Sequence, residues 1–223
     1  MIMAPRIGVI DSGGPAEDLP GGRAFLPDGT SVAPVPDRLG HGTAVAQVLR
    51  RAWPSVQLVH AQVFLDRPVT SSAQVAAAVS WLGDPRRSGG QADIICLSLG
   101  LAVDRAPLRR ACIAALEQGV LLVAASPARG EPCFPAAYPG VIAATGDARC
   151  DWDQVSVLPG GVFGAWCGSP ERGHSGQGGA SMATARVAGL LAVMLASGHI
   201  GPASAWLRAR ASFHGVERRV AQE

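Results

Sequence analysis

Three short segments of this 223-residue chain carry side chains that could act together on a carbonyl group. The first, Val9-Ile10-Asp11-Ser12-Gly13, is a hydrophobic run ending in an acid followed by glycine. An Asp at the carboxyl end of a strand stands where α/β proteins gather active-site groups. Taken alone, it reads equally as a loop Asp closing a turn. The second, Leu39-Gly40-His41-Gly42-Thr43, sets a histidine between two glycines at the start of a helical pattern. The glycines let other groups approach the ring. A helix start disfavours imidazolium, so a carboxylate would be needed to hold the proton. The third, Gly178-Gly179-Ala180-Ser181-Met182-Ala183, places a serine at the start of an apolar helix. The unpaired N–H groups there suit a developing oxyanion, although a plain serine N-cap looks the same. Acid, base and hydroxyl are the groups that nucleophilic acyl transfer requires. Nearby Gly173-His174-Ser175-Gly176-Gln177 misses the G-x-S-x-G elbow, because Gln177 stands where its second glycine belongs.

These residues need a frame, and the hydrophobic pattern supplies one. Short apolar runs alternate with helical periodicity, which is the pattern of βαβ units and a parallel sheet. Strands are expected over 6–10, 57–63, 93–98, 120–125 and 141–145, and helices over 42–52, 72–82, 107–118 and 180–196. The strands at 6–10, 93–98 and 120–125 lack polar alternation, as expected when helices cover both faces of a sheet. Stretches 126–140 and 146–179 are Gly/Pro-rich and irregular, long enough to serve as binding loops. The tail from Ala211 reads as a frayed or docked terminus.

Composition narrows the class further. Hydrophobic residues make up 48% and charged residues 16%, which excludes a disordered or highly charged binding protein. A net charge of +2 gives no reason to expect nucleic acid as a partner. The size fits one catalytic domain over residues 1–223. Neither a signal peptide nor a pro-domain before Asp11 is expected, and no apolar run reaches membrane-spanning length. The cysteines, Cys96, Cys112, Cys133, Cys150 and Cys167, are odd in number and widely spaced, so free thiols in the cytoplasm are expected. No acidic or Cys/His cluster calls for a metal, and nothing calls for a cofactor. The chain contains neither lysine nor asparagine.

Together the three segments, in the order Asp, His, Ser, resemble the subtilisin-like serine proteases. Ile95-Cys96-Leu97-Ser98-Leu99-Gly100 looks like that family's substrate-binding strand, and Phe134-Pro135-Ala136-Ala137-Tyr138-Pro139-Gly140 like the stretch after its oxyanion region. The resemblance runs through most of the chain. It implies a three-layer α/β/α fold with a mostly parallel central sheet, and a triad of Asp11, His41 and Ser181. Ser98, Leu99 and Gly100 on one side, and Ala124, Ala125 and Ser126 on the other, would line an extended substrate peptide. Arg129 would stand at the rim of the main specificity pocket and Cys133 near its floor, with a small or acidic residue preferred before the cut.

The chain also departs from that family. The oxyanion-hole asparagine would fall on Ala128, and no other asparagine exists to replace it. Losing such a donor typically costs about 10²–10³ in kcat. Gln177, Ser126, Arg129 and His174 are the candidate replacements. The calcium-binding insertion of secreted relatives is missing after the His41 helix, and the usual Pro-His pair after the nucleophile reads Ala185-Arg186. An unrestrained protease would endanger its own cell, so slow turnover or narrow specificity is expected. Small size, with no pro-domain expected, resembles the leader-peptide proteases of quinohemoprotein amine dehydrogenase maturation. That resemblance implies a leader-bearing subunit as substrate, met together with its maturation enzyme. Two other readings stay open: a pseudo-protease that binds a peptide without cutting it, and a peptide ligase or macrocyclase.

Overall fold

The structure is a computed structural model that describes residues 4–87, 89–168 and 178–216. Strand β1 (Arg6–Asp11) is buried from Ile7 onward, so its apolar residues must find helices on both faces. It pairs in parallel with β4 (Gln57–Gln62) on one side and with β5 (Ile94–Leu97) on the other. β5 continues in parallel to β6 (Leu121–Ala125), and β6 to β7 (Ile142–Gly146). The hairpin β2 (Arg23–Phe25) and β3 (Ser31–Val32) extends the β4 edge. Beyond β7 lie β9 (Phe163–Ala165), β8 (Val155–Val157) and β10 (Ala211–His214), giving a ten-stranded sheet ordered β10-β8-β9-β7-β6-β5-β1-β4-β2-β3. Among the described strand pairs, β2–β3 and β8–β9 run antiparallel and the others parallel.

Two apolar clusters cover the two faces. One joins Val9, Cys96 and Val123 of the sheet to α1 (His41–Ala52), α4 (Ala180–Ala196) and α5 (Ala203–Ala209). The other joins Ile10, Ile95 and Leu122 to α2 (Ser72–Gly83) and α3 (Ala106–Glu117). The result is an α/β/α arrangement around a mostly parallel sheet, as the periodicity implies. α1 and α4 pack side by side, which carries their amino ends to the carboxyl ends of β1 and β5.

Expected strand limits shift by a residue, and the core helices stand where the periodicity places them. The short elements β2, β3, β8, β9 and α5 were not expected, because runs of two to seven residues carry too little period to read. The described part of the tail, residues 211–216, is docked: β10 pairs in parallel with β8, and Gly215 N donates to Val157 O at 2.8 Å. Arg186 anchors α4. It is buried beside the Trp152 ring, 4.4 Å from its centroid, and reaches Asp153 at 3.2 Å. Burial pulls its pKa down to about 10 despite Asp153. No helix among the described residues is long and apolar enough to cross a membrane.

Candidate active site

The parallel pairing of β4, β1, β5 and β6 lines up four carboxyl ends, and the candidate residues collect there. Asp11 is the last residue of β1 and is fully buried. Its Oδ1 accepts from the Ser12 N–H at 2.7 Å. His41 is the first residue of α1, entered through Gly40 at φ 72°, a conformation that favours glycine. His41 Nδ1 stands 2.7 Å from Asp11 Oδ1 and 2.9 Å from Oδ2. The approach depends on Gly42: a Cβ there would overlap the Gly13 carbonyl oxygen.

Several residues that the sequence reading did not single out hold this corner. Asp37 Oδ1 accepts from the Leu39 and Gly40 N–H groups at 3.1 and 2.9 Å. Its Oδ2 accepts from both the N–H and the hydroxyl of Thr43 at 2.8 Å. This caps the start of α1 with a negative charge. Burial works to raise the Asp37 pKa, yet the bonds from Thr43, Ser12 and Gly40 outweigh it and hold the carboxyl below its usual value. Ser12 Oγ accepts from Gly42 N at 2.9 Å, and Gln62 Nε2 donates to Ser12 O at 2.8 Å. An Asp three residues before the N-cap glycine is the signal that could have found Asp37.

The electrostatic outcome is a basic imidazole. The hydrogen bond to Asp11 raises the His41 pKa above 6.5; burial opposes this, and the charges of Asp11 and Asp37 add to it. Asp11 therefore fixes the ring so that Nδ1 carries the proton and Nε2 faces away from the carboxylate.

Ser181 is the second residue of α4, whose entry at Gly179 is tied by Gly179 N to Cys167 O at 2.8 Å. Its hydroxyl donates to Ser98 O at 3.2 Å, and the Ser98 hydroxyl donates back to Ser181 O at 3.3 Å. Asp11, His41, Ser98, Leu99 and Gly100 line a cleft of about 670 Å³, whose other walls include Leu39, Phe64, Val69 and Leu101. The nucleophile candidate is thus bonded to a wall of the cleft that holds the acid and the base. Ala124 and Ala125 end β6 and are buried, while Ser126 N is engaged with Ala144 O at 2.8 Å. Ala128 and Arg129 are exposed in the following loop and line neither this cleft nor its neighbour. Cys133 is half-buried, and its thiol donates to Ala125 O at 3.2 Å. Gln177 and His174 lie outside the described residues. No group of three or more potential metal ligands occurs among the described residues.

No family model matches the chain, and no curated protein matches it by sequence. Solved structures do match. Sphericase is similar with a TM-score of 0.72 at 23% identity, over 94% of this chain and 84% of its own. S41 psychrophilic protease is similar with a TM-score of 0.67 at 19% identity, over 95% of this chain and 85% of its own. The fold is that of the subtilisin-like serine proteases.

Proposed function

We propose that this chain is a serine endopeptidase that cuts a particular peptide or leader segment through an acyl-enzyme, slowly, in the maturation of another protein. One observation carries the reading: His41, fixed on buried Asp11 through Nδ1, opens onto the same cleft as Ser98, whose carbonyl holds the Ser181 hydroxyl. In the resting arrangement the Ser181 proton points at Ser98 O. Attack requires the hydroxyl to turn from that carbonyl to the His41 ring, a tightening common when substrate binds. Ser181 Oγ then bonds to the scissile carbonyl carbon as His41 takes its proton. His41 returns that proton to the leaving amine, and water later attacks the acyl-enzyme by the same route. Asp11 stabilises the imidazolium in each step. The amino end of α4 supplies N–H donors to the oxyanion.

Low turnover follows from Ala128, which offers no side-chain donor where an asparagine is expected. Narrow selection follows from the apolar cleft wall of Leu39, Phe64, Val69, Leu99 and Leu101, which favours an extended, apolar peptide. A leader-bearing subunit presented by its maturation enzyme fits these needs, as does a cytoplasmic setting with free thiols. Ala128 also favours a second reading, a peptide-binding pseudo-protease. A fluorophosphonate probe separates the two. Labelling of the wild type at Ser181, and none of Ser181→Ala, is expected for the protease. An unlabelled wild type sinks that reading. For a cleaved product, a mass gain of one water marks hydrolysis and distinguishes it from ligation.

A further inference from the structure

β5 and β6 stay in register as far as Leu97 and Ala124. Beyond that pair the two chains part, one as Ser98-Leu99-Gly100 and the other as Ala125-Ser126. Because Ser181 bonds to Ser98 O, a carbonyl under attack lies at the mouth of the gap between them. A side chain projecting from the residue that bears that carbonyl toward the sheet would enter this gap. Cys133 occupies it. Its thiol donates to Ala125 O on one wall at 3.2 Å. On the other wall, a Cβ at Gly100 would lie 2.6 Å from Cys133 Sγ and 3.2 Å from its Cβ, so the sulfur rests against Gly100 itself.

The segment cannot swing aside freely. Leu101 N donates to Phe134 O at 2.7 Å and Phe134 N returns a bond to Leu101 O at 2.8 Å, tying the residue after Cys133 to the residue after Gly100. Behind the thiol lies a second cavity of about 730 Å³, lined by Ser126, Cys133, Ala136 and Ile142. Cys133 borders that cavity while its sulfur touches Gly100, a wall of the catalytic cleft. The thiol therefore stands between the two spaces. Burial raises its pKa, so the plug is a neutral thiol.

We propose that Cys133 closes the recess beside Ser181 and restricts the residue on the acyl side of the cleaved bond to glycine or alanine. Arg129, exposed outside the cleft, contributes no charge selection there. The proposal rests on Ser181 being the nucleophile, so the test reads the nucleophile separately. Two peptidyl diphenyl phosphonates, identical except for an alanine or phenylalanine side chain on the phosphorus-bearing residue, are compared by their rate of labelling. Each reacts when Ser181 Oγ bonds to phosphorus and phenol leaves. The wild type should favour the alanine probe by at least about tenfold, since a hydrophobic recess discriminates on this scale. Cys133→Gly should erase or reverse that ratio by joining the two cavities, and Cys133→Val, which keeps the recess filled, should preserve or widen it. A wild-type ratio near one, or one unchanged in Cys133→Gly, overturns the proposal. If Cys133→Gly does not fold, a phenylalanine probe that labels Cys133→Val as fast as the alanine probe does so instead. A wild type that a small fluorophosphonate leaves unlabelled removes the nucleophile, and both readings fall.

Discussion

The segments around the ends of β1 and β6 are built to different standards. Around Asp11 and His41, nearly every polar atom has a partner: Asp37 takes four hydrogen bonds, Ser12 links the turn to α1, and Gln62 holds the turn to β4. Past the end of β6, by contrast, the 127–130 stretch is exposed and places Ala128 and Arg129 in solvent, outside the cleft. Asp11 and His41 are held together before any substrate arrives, whereas no side chain of the 127–130 stretch lines the cleft that they open onto. Preorganised donors are usually the largest catalytic contribution, so this division fits the slow serine endopeptidase proposed above.

The sharpest way to break the comparison is at its ordered side. Asp11→Asn should lower kcat by about 10⁴-fold, because the amide favours the wrong His41 tautomer. Thermal unfolding will show whether the fold survives; a loss explained by unfolding alone would mean the corner is structural rather than catalytic. The exposed stretch after β6 should respond in the opposite sense. Ala128→Asn supplies a donor and should raise kcat by at least about tenfold, with the 10²–10³ value of one such donor as the ceiling. Unchanged kcat with an intact fold would show that the loop does not face the oxyanion.

The smallest expected effect is on pH. Activity needs neutral His41, whose pKa is raised above 6.5 chiefly by its hydrogen bond to Asp11, so the acid limb of kcat/KM should lie above pH 6.5. Asp37→Asn removes a negative charge and should move that limb to lower pH; a limb that stays in place would take Asp37 out of the electrostatics. Stability runs the other way. Charged His41 stabilises the fold fully below pH 6.5, and that contribution is lost as pH rises through the raised pKa. Asp37, held below 3.8, stabilises above that value, and its contribution is lost as pH falls through the lowered pKa.

Much of this was legible in the chain because long elements announce themselves. The apolar runs at β1, β5 and β6 and the periodic stretches of α1 and α4 locate the sheet and its covering helices. Asp11, His41 and Ser181 could be picked out since each sits at the end of such an element. The neighbours of these residues could not. Asp37 lies in an irregular segment, Gln62 ends β4, and each acts through a hydrogen bond whose partner no periodicity marks. The short strands β8, β9 and β10 exist because they pair with one another and with β7, not because their own residues insist on it.

By itself the sequence determined the layering of the molecule and which residues carry an acid, a base and a hydroxyl, because burial and residue chemistry are local properties of the chain. Only the tertiary structure decided that His41 meets both oxygens of Asp11, that Ser181 rests on Ser98 O, and that Cys133 plugs the gap between Gly100 and Ala125. Those contacts join residues 30 to 83 positions apart in the first two cases. Their distances follow from strand register and helix packing, which no single segment specifies.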